Sequence, residues 1–556
     1  MPTPSDVRSV PTERPSLGPT SLLSRVRQDA PPVTGLLWQA ALLGLSGDAL
    51  LRDGPAGPGL AIWVAILALA ALSLTWSAGR RVPREAALWL GTAVLLSFCL
   101  VWRDSEALRF FDVVATMGVL GLAAVALRDP GLALAAPRLR DTIWAGFAIV
   151  RSTARGIVPL ALRELFTGDR RAGVRGRART TLRLSLIVAA LLLVFGSLLR
   201  SADPIFASLV ALPDLDVGTI ASHIVLMGFC AWIAGGWAYG ALVESPARSR
   251  APERLPLTLR AMDVTTALGT LTALFGVFVL TQLGWFFGGE RFLHATTGLT
   301  AAQYARQGFF QMAWVVALVV PLLLATRAAL APEPSLARRH TMLSLPIVGL
   351  LGAIILSAAL RMRLYVHYYG LTTDRLYTLV FMGWLAIVLG LFAATVLRDR
   401  GRVFAAGSVI SAITLLLGLH VAVPDLVVAR VNLARAASGA GTAPLDLAYL
   451  ARLSGDAVPL AVQATLAPPT PQQRKDPFDA DAHCAASSQL LYQWGPASRV
   501  VIRRQKLGAW RVWNAGEERA VRAVGERSAD LRRMRHATCT TGWEARTHQR
   551  GVELED

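Results

Sequence analysis

Lysine is almost missing from this chain. Only Lys475 and Lys506 stand among its 56 basic residues, which leaves 54 arginines. A bias on that scale reads as a GC-rich coding preference and carries no chemistry. Cysteine is scarce too: the chain has four in 556 residues and no Cys-x-x-Cys pair, which excludes zinc ribbons and iron–sulfur frameworks. The His-Glu-x-x-His, Gly-x-Ser-x-Gly and P-loop signatures are absent, as is a metal-binding aspartate cluster. No motif therefore names a reaction, a cofactor or a metal. Charged residues make up 17% against 54% hydrophobic, and they sit between apolar runs.

Those apolar runs, each about 20 residues and long enough to cross ~30 Å of hydrocarbon, define an all-α polytopic membrane protein. Eleven spans are expected in a transmembrane domain over 33–423: 33–51, 59–79, 86–102, 107–127, 184–200, 219–243, 261–287, 308–330, 341–360, 375–397 and 403–423. Residues 1–32 are polar and proline-containing, with no short apolar core or small-residue cleavage site. They read as a disordered cytoplasmic N-terminus and not as a signal peptide.

Orientation follows from arginine. With the N-terminus cytoplasmic, the inner segments hold 29 arginines and the outer loops 7, the asymmetry of the positive-inside rule. The formal net charge of +19 is then a matter of topology, and nucleic acid is not expected as a partner. Residues 141–166 are apolar enough to suggest a twelfth span, but Arg151 and Arg155 lie four apart on one helical face. An arginine at the bilayer centre costs roughly 2.5–3.5 kcal/mol, so an interfacial amphipathic helix on the inner surface is expected. It leads into the arginine cluster of 167–183, whose expected partners are anionic lipid headgroups, at ~1 kcal/mol per basic residue.

Residues 424–556 form the extracytoplasmic C-terminal tail: short amphipathic helices, a Pro-rich linker near 463–482, then a basic segment. Cys484 and Cys539 lie on that outer side, where a disulfide can persist, and are the candidate pair. Cys99 and Cys230 lie inside spans, where a thiol behaves as a small apolar group.

Two outer segments resemble each other. Aligned on Gly-Leu-Thr, with Gly298 and Gly370 72 residues apart, GERFLHATTGLTAAQYARQGFF and RMRLYVHYYGLTTDRLYTLVF share an arginine seven residues before the glycine (Arg291, Arg363), with a histidine shortly before it (His294, His367) and a tyrosine after it (Tyr304, Tyr377) in each. A parallel repeat of 261–330 and 341–397 is the implied arrangement, and repeat interfaces are common transporter sites. Glycine, threonine and tyrosine are accounted for by turn, cap and membrane interface. Arg291, Arg363, His367, Asp374 and Arg375 remain as a candidate ligand site, because guanidinium suits carboxylate or phosphate, and Tyr369 and Tyr377 would line it. Asp48, Arg109, Asp112, His223, Arg361 and His420 are polar within span ends, all toward the outer leaflet. Such groups are functional candidates by default.

The stretches ADPIFA, GLTAAQYARQGFF and RMRLYVHYYGLTTDRLY, with DLAYLARLSGDAVP and WRVWN after the membrane, resemble a bacterial multi-pass family catalogued as a domain of unknown function (DUF4173/DUF4153-like), from about residue 30 onward. The resemblance implies a bacterial cytoplasmic-membrane protein and brings no activity or cofactor. The expected function is transport or binding of a small or lipid-linked anion at an outward-facing polar site; the alternatives are an envelope lipid- or glycan-modifying transferase or hydrolase, and an assembly or sensory protein using its tail, with an envelope partner or a second copy of itself.

Overall fold

The computed structural model describes residues 33–52, 54, 57–129, 139–157, 217–244, 259–297, 309–331, 333–398, 400–438, 445–467, 477–507 and 510–539, with four single positions between 184 and 195. Regular structure there is helical, apart from an isolated bridge between Leu259 and Leu330. The helices are α1 (Val33–Leu51), α2 (Pro58–Ser77), α3 (Arg84–Trp102), α4 (Glu106–Arg128), α5 (Leu139–Arg155), α6 (Val217–Leu242), α7 (Ala261–Thr297), α8 (Phe309–Ala328), α9 (Pro334–Tyr369), α10 (Thr373–Thr395) and α11 (Gly401–Ala422). The tail adds α12 (Pro424–Ala437), α13 (Leu447–Arg452), α14 (Val458–Leu466), α15 (Pro477–Trp494), α16 (Arg499–Leu507), α17 (Ala515–Glu526) and α18 (Ser528–Thr538).

Eight helices among the described residues are long and apolar enough to cross a membrane. Helices α1 and α8 occupy two further expected spans without meeting that measure in full, and the expected span 184–200 lies outside the described residues save for the scattered positions. Large apolar side chains point away from the protein along the spans, with Trp76 80% and Trp38 77% exposed, as a chain solvated by lipid requires.

The spans pack into two lobes. One core joins α1–α6, around Leu36, Leu67, Leu90, Leu108 and Trp237. The other joins α7–α10, around Leu268, Leu323, Leu351, Leu385 and Phe392. Helix α11 binds both: Phe404 at its start belongs to the second core, Leu416 near its end to the first. The tail helices share a third core, including Val428, Leu450, Leu490 and Val524, and Leu371 of the α9–α10 turn enters it. Cys484 and Cys539 are bonded, with Cα atoms 5.1 Å apart, tying the end of α18 to α15 across 55 residues of chain. A loop of that length contributes about 4 kcal/mol in the chain-entropy picture.

Several boundaries differ from the hydropathy reading. Residues 361–369 belong to α9, a continuous 36-residue helix about 54 Å long, and not to a loop. Hydropathy marks where a helix leaves lipid, whereas the backbone continues until Gly370, whose φ of +79° suits a residue without a Cβ. Helix α7 likewise ends at Thr297, the residue before Gly298, while the first Gly-Leu-Thr itself lies outside the described residues. The linker is shorter than expected, since α14 reaches Leu466 and α15 starts at Pro477. The amphipathic segment forms α5, which exposes Trp144, Phe147 and Val150. It meets α6 so closely that a Cβ on Gly240 would fall 2.0 Å from Ser152 Oγ. Residues 1–32 and 158–183 lie outside the described residues, so α5 covers only the first part of the expected amphipathic segment 141–166.

Candidate functional site

The three residues between α3 and α4, Arg103–Asp104–Ser105, form the seat on which the tail rests. The Asp104 N–H donates to Asp456 Oδ2 at 3.1 Å, and Asp104 Oδ2 accepts from the Gly455 N–H at 2.9 Å. Arg103 Nη1 donates to Asp456 Oδ1 at 3.3 Å, and Arg519 closes on the same oxygen at 2.7 Å. The Asp456 side chain is 2% exposed, so its charge depends on these donors. Asn514 fixes the other side. Its Nδ2 donates to the Leu100 and Arg103 carbonyls, while Oδ1 caps α17 by accepting from the Gly516 and Glu517 N–H groups. Glu517 takes Arg109, Arg503 and Arg504, and Arg109 also donates to Asp104 at 2.6 Å. Burial pushes the Asp104 carboxyl up to about 6, against the pull of Arg109. Burial also raises Asp425 of α12, against the hydrogen bond from Ser454.

From the seat the contacts continue into the bundle. Arg103 Nε donates to the His420 carbonyl at 2.8 Å. The His420 ring, in the last turn of α11, meets Asp112 Oδ2 of α4 at 3.1 Å through Nε2, and its Nδ1 meets the Leu416 carbonyl at 2.9 Å. Both side chains are 1% exposed. Ser105 hydrogen-bonds Tyr377 at 3.1 Å. A second patch lies at the α9–α10 turn: Asn432 of α12 accepts from the Leu371 N–H and donates to the Leu371 carbonyl, each at 2.7 Å, and the Thr373 N–H donates to Tyr449.

The candidate ligand residues do not gather in one place. Arg375 turns back on its own turn, donating to the Tyr369 and Gly370 carbonyls and lying 4.1 Å over the Tyr365 ring. Arg363, His367 and Asp374 are exposed, as is Tyr369 at 45%. Tyr377 lies apart from them, against Phe111 and Ser105. The side chain of Arg291 lies outside the described residues. The polar span residues do gather, in pairs. Asp48 and His223 meet at 2.6 Å with Arg52 on the same carboxylate, Asp112 meets His420, and Arg109 joins the seat. Arg361 is buried against Gln282, which also accepts from Ser357. Among the described residues, no three His, Cys, Asp or Glu side chains form a metal-binding group.

Arg103, Asp104, Asp456, Asn514 and Glu517 escaped the sequence reading. A lone charge in a short loop reads as solvated, and only Asn514 with Glu517 three residues on carried a signal, that of a helix N-terminus. The opposite end of the bundle holds its own ionic cluster, with buried Glu244 taking Arg128 at 2.8 Å and Arg151 at 3.7 Å.

Residues 90–464 match the family described as Domain of unknown function (DUF4153). The chain belongs to the DUF4153 family. No curated protein and no solved structure matches it. The DUF4153 region takes in Arg103, Asp112, His420 and Asp456 but stops before α15. The seat is therefore completed by residues beyond the family region, Asn514, Glu517 and Arg519, and WRVWN lies beyond it as well.

Proposed function

We propose that this membrane protein is a sensory or assembly component of a bacterial cytoplasmic membrane. Its C-terminal helices stand outside the cell and pass their state to the bundle. The observation that carries the reading is the unbroken line Asp456–Arg103–His420–Asp112 from tail to membrane interior. A tail that merely capped the bundle would need no buried ion pair continuing into an intramembrane acid, since breaking either pair costs about 3–5 kcal/mol. The arginine asymmetry of 29 against 7 and the Cys484–Cys539 bond support the outward placement of the tail.

Hydrogen exchange on the full chain in bilayers tests the coupling. Asp456→Asn raises exchange in α13, α14 and α17 and also in the last turn of α11 and the first of α4. Faster exchange confined to the tail makes it a passive cap and defeats the reading.

A second reading, an anionic ligand held at the outer face, is favoured by Arg363 and His367. They stand one helical turn apart, exposed, with no hydrogen bond or ion pair among the described residues. Their exposed positions suit a carboxylate or phosphate arriving from outside.

A further inference from the structure

We propose that Asp112 and His420 form an intramembrane proton-binding site whose occupancy holds the C-terminal helices on the bundle. The site stands on its own geometry; the consequence for the tail rests on the coupling proposed above.

A backbone carbonyl only accepts, so the contact from His420 Nδ1 to the Leu416 carbonyl, 2.9 Å long, requires the ring proton on Nδ1. In a neutral ring Nε2 is then bare. Nε2 lies 3.1 Å from Asp112 Oδ2, and a bare nitrogen against an ionised carboxylate would set lone pair against lone pair. One further proton must lie between them. It rests on Nε2, making an imidazolium–carboxylate pair, or on Oδ2, making a neutral acid and a neutral ring. Both descriptions contain the same proton. Its loss would leave a buried carboxylate facing a lone pair, at the cost of an uncompensated charge.

A second observation extends the site. Asp112 Oδ1 and Thr116 Oγ1, one turn further along α4, are both buried, and neither has a hydrogen-bond partner among the described residues. Buried oxygens of this kind are the groups that an internal, proton-carrying water bridges. They continue polar ground from the pair toward the middle of the span. Among the described residues, the ionisable groups that act on the pair are Cys99 of α3, Arg103 of the following turn and Tyr377 of α10. Arg103 is the cation among them, and it is bonded to the His420 backbone and not to the Asp112 carboxylate.

His420 is also where the tail is hung. Its carbonyl accepts from Arg103, which holds Asp456. Three residues later Val423 turns α11 into α12 with a φ of +55°, a conformation that a β-branched residue adopts only when its surroundings impose it. Proton loss separates His420 from Asp112, moves the last turn of α11 and loosens the seat. Between the titration of the separated groups and that of the seated pair the released state holds one proton fewer, so seating weakens as pH rises through that window, by at most about tenfold per pH unit. Asp104 and Asp425, both raised by burial, act in the same direction and must be separated from it.

The test uses the full-length protein in liposomes. Nitrogen-15 NMR on labelled histidine, with His420 assigned through His420→Gln, reads the ring directly. The proposal expects a protonated Nδ1 throughout and a single pH step that Asp112→Asn removes and Asp112→Glu restores. A bare Nδ1, or no step, overturns the site. In an Asp104→Asn, Asp425→Asn background, protease cleavage of the tail should rise with pH by up to about tenfold per unit and become flat on adding Asp112→Asn. A pH step at His420 with an unchanged cleavage profile overturns the link to the tail while the site stands. The hydrogen-exchange response to Asp456→Asn reports separately on the coupling reading.

Discussion

Gly516 is a residue at which tail and bundle touch backbone to backbone, and Gly455 packs on it from within the tail, beside the Asp104 carboxylate. A Cβ on Gly516 would stand 2.7 Å from Asp104 Cβ and 2.9 Å from its nitrogen, and one on Gly455 2.7 Å from the Gly516 carbonyl oxygen. None of these atoms is the end of a flexible side chain, so neither contact can yield without moving a main chain. Gly516→Ala is therefore expected to destabilise the seat by about 1–3 kcal/mol, read as faster protease cleavage of the tail at unchanged expression. Gly525→Ala, in the same helix with open space around its Cβ position, is the control that should leave cleavage unchanged or slower. Equal behaviour of the two would remove the close approach as a cause. Residue chemistry at the seat was only partly legible in sequence. Asp112 and His420 each stood out as polar groups in apolar runs, but they lie 308 residues apart, as Asp48 and His223 lie 175 apart. No local pattern records a pairing of that range.

At the scale of elements, spans were the most legible feature, because lipid imposes one strong requirement on each, about 20 apolar residues. Their ends were less legible, and α9 shows why. After Arg361 the sequence RMRLYVHYY turns polar and aromatic but contains no helix breaker before Gly370, so hydropathy stops where the helix does not. The same continuity scatters the candidate ligand residues, since a helix displays Arg363 and His367 outward while Arg375, beyond the turn, caps it. The α3–α4 turn carries a pH prediction of its own. Asp104 is raised from 3.8 to about 6 in the seated state. A carboxyl raised on seating contributes stability that is complete below about pH 4 and is lost as pH rises through about 6, on the order of 3 kcal/mol in all. Tail protection from protease should thus fall between those values in the wild type, and the fall should shrink in Asp104→Asn. A fall of undiminished size in that variant would assign the dependence to other groups.

At the scale of the whole molecule, the described residues form three cores and two bridges: α11 joins the two membrane lobes, and the seat with the α9–α10 turn joins both lobes to the tail. Asp112 belongs to the first lobe and Asp456 to the tail, so the account stands or falls on whether these two aspartates act on each other through Arg103 and His420. A double-mutant cycle of Asp456→Asn and Asp112→Asn, read by thermal or denaturant unfolding of the full chain in bilayers, measures this. Two aspartates in one bonded network are expected to interact by roughly 0.5–3 kcal/mol. Effects that add to within about 0.3–0.5 kcal/mol would show two independent sites, and would contradict it.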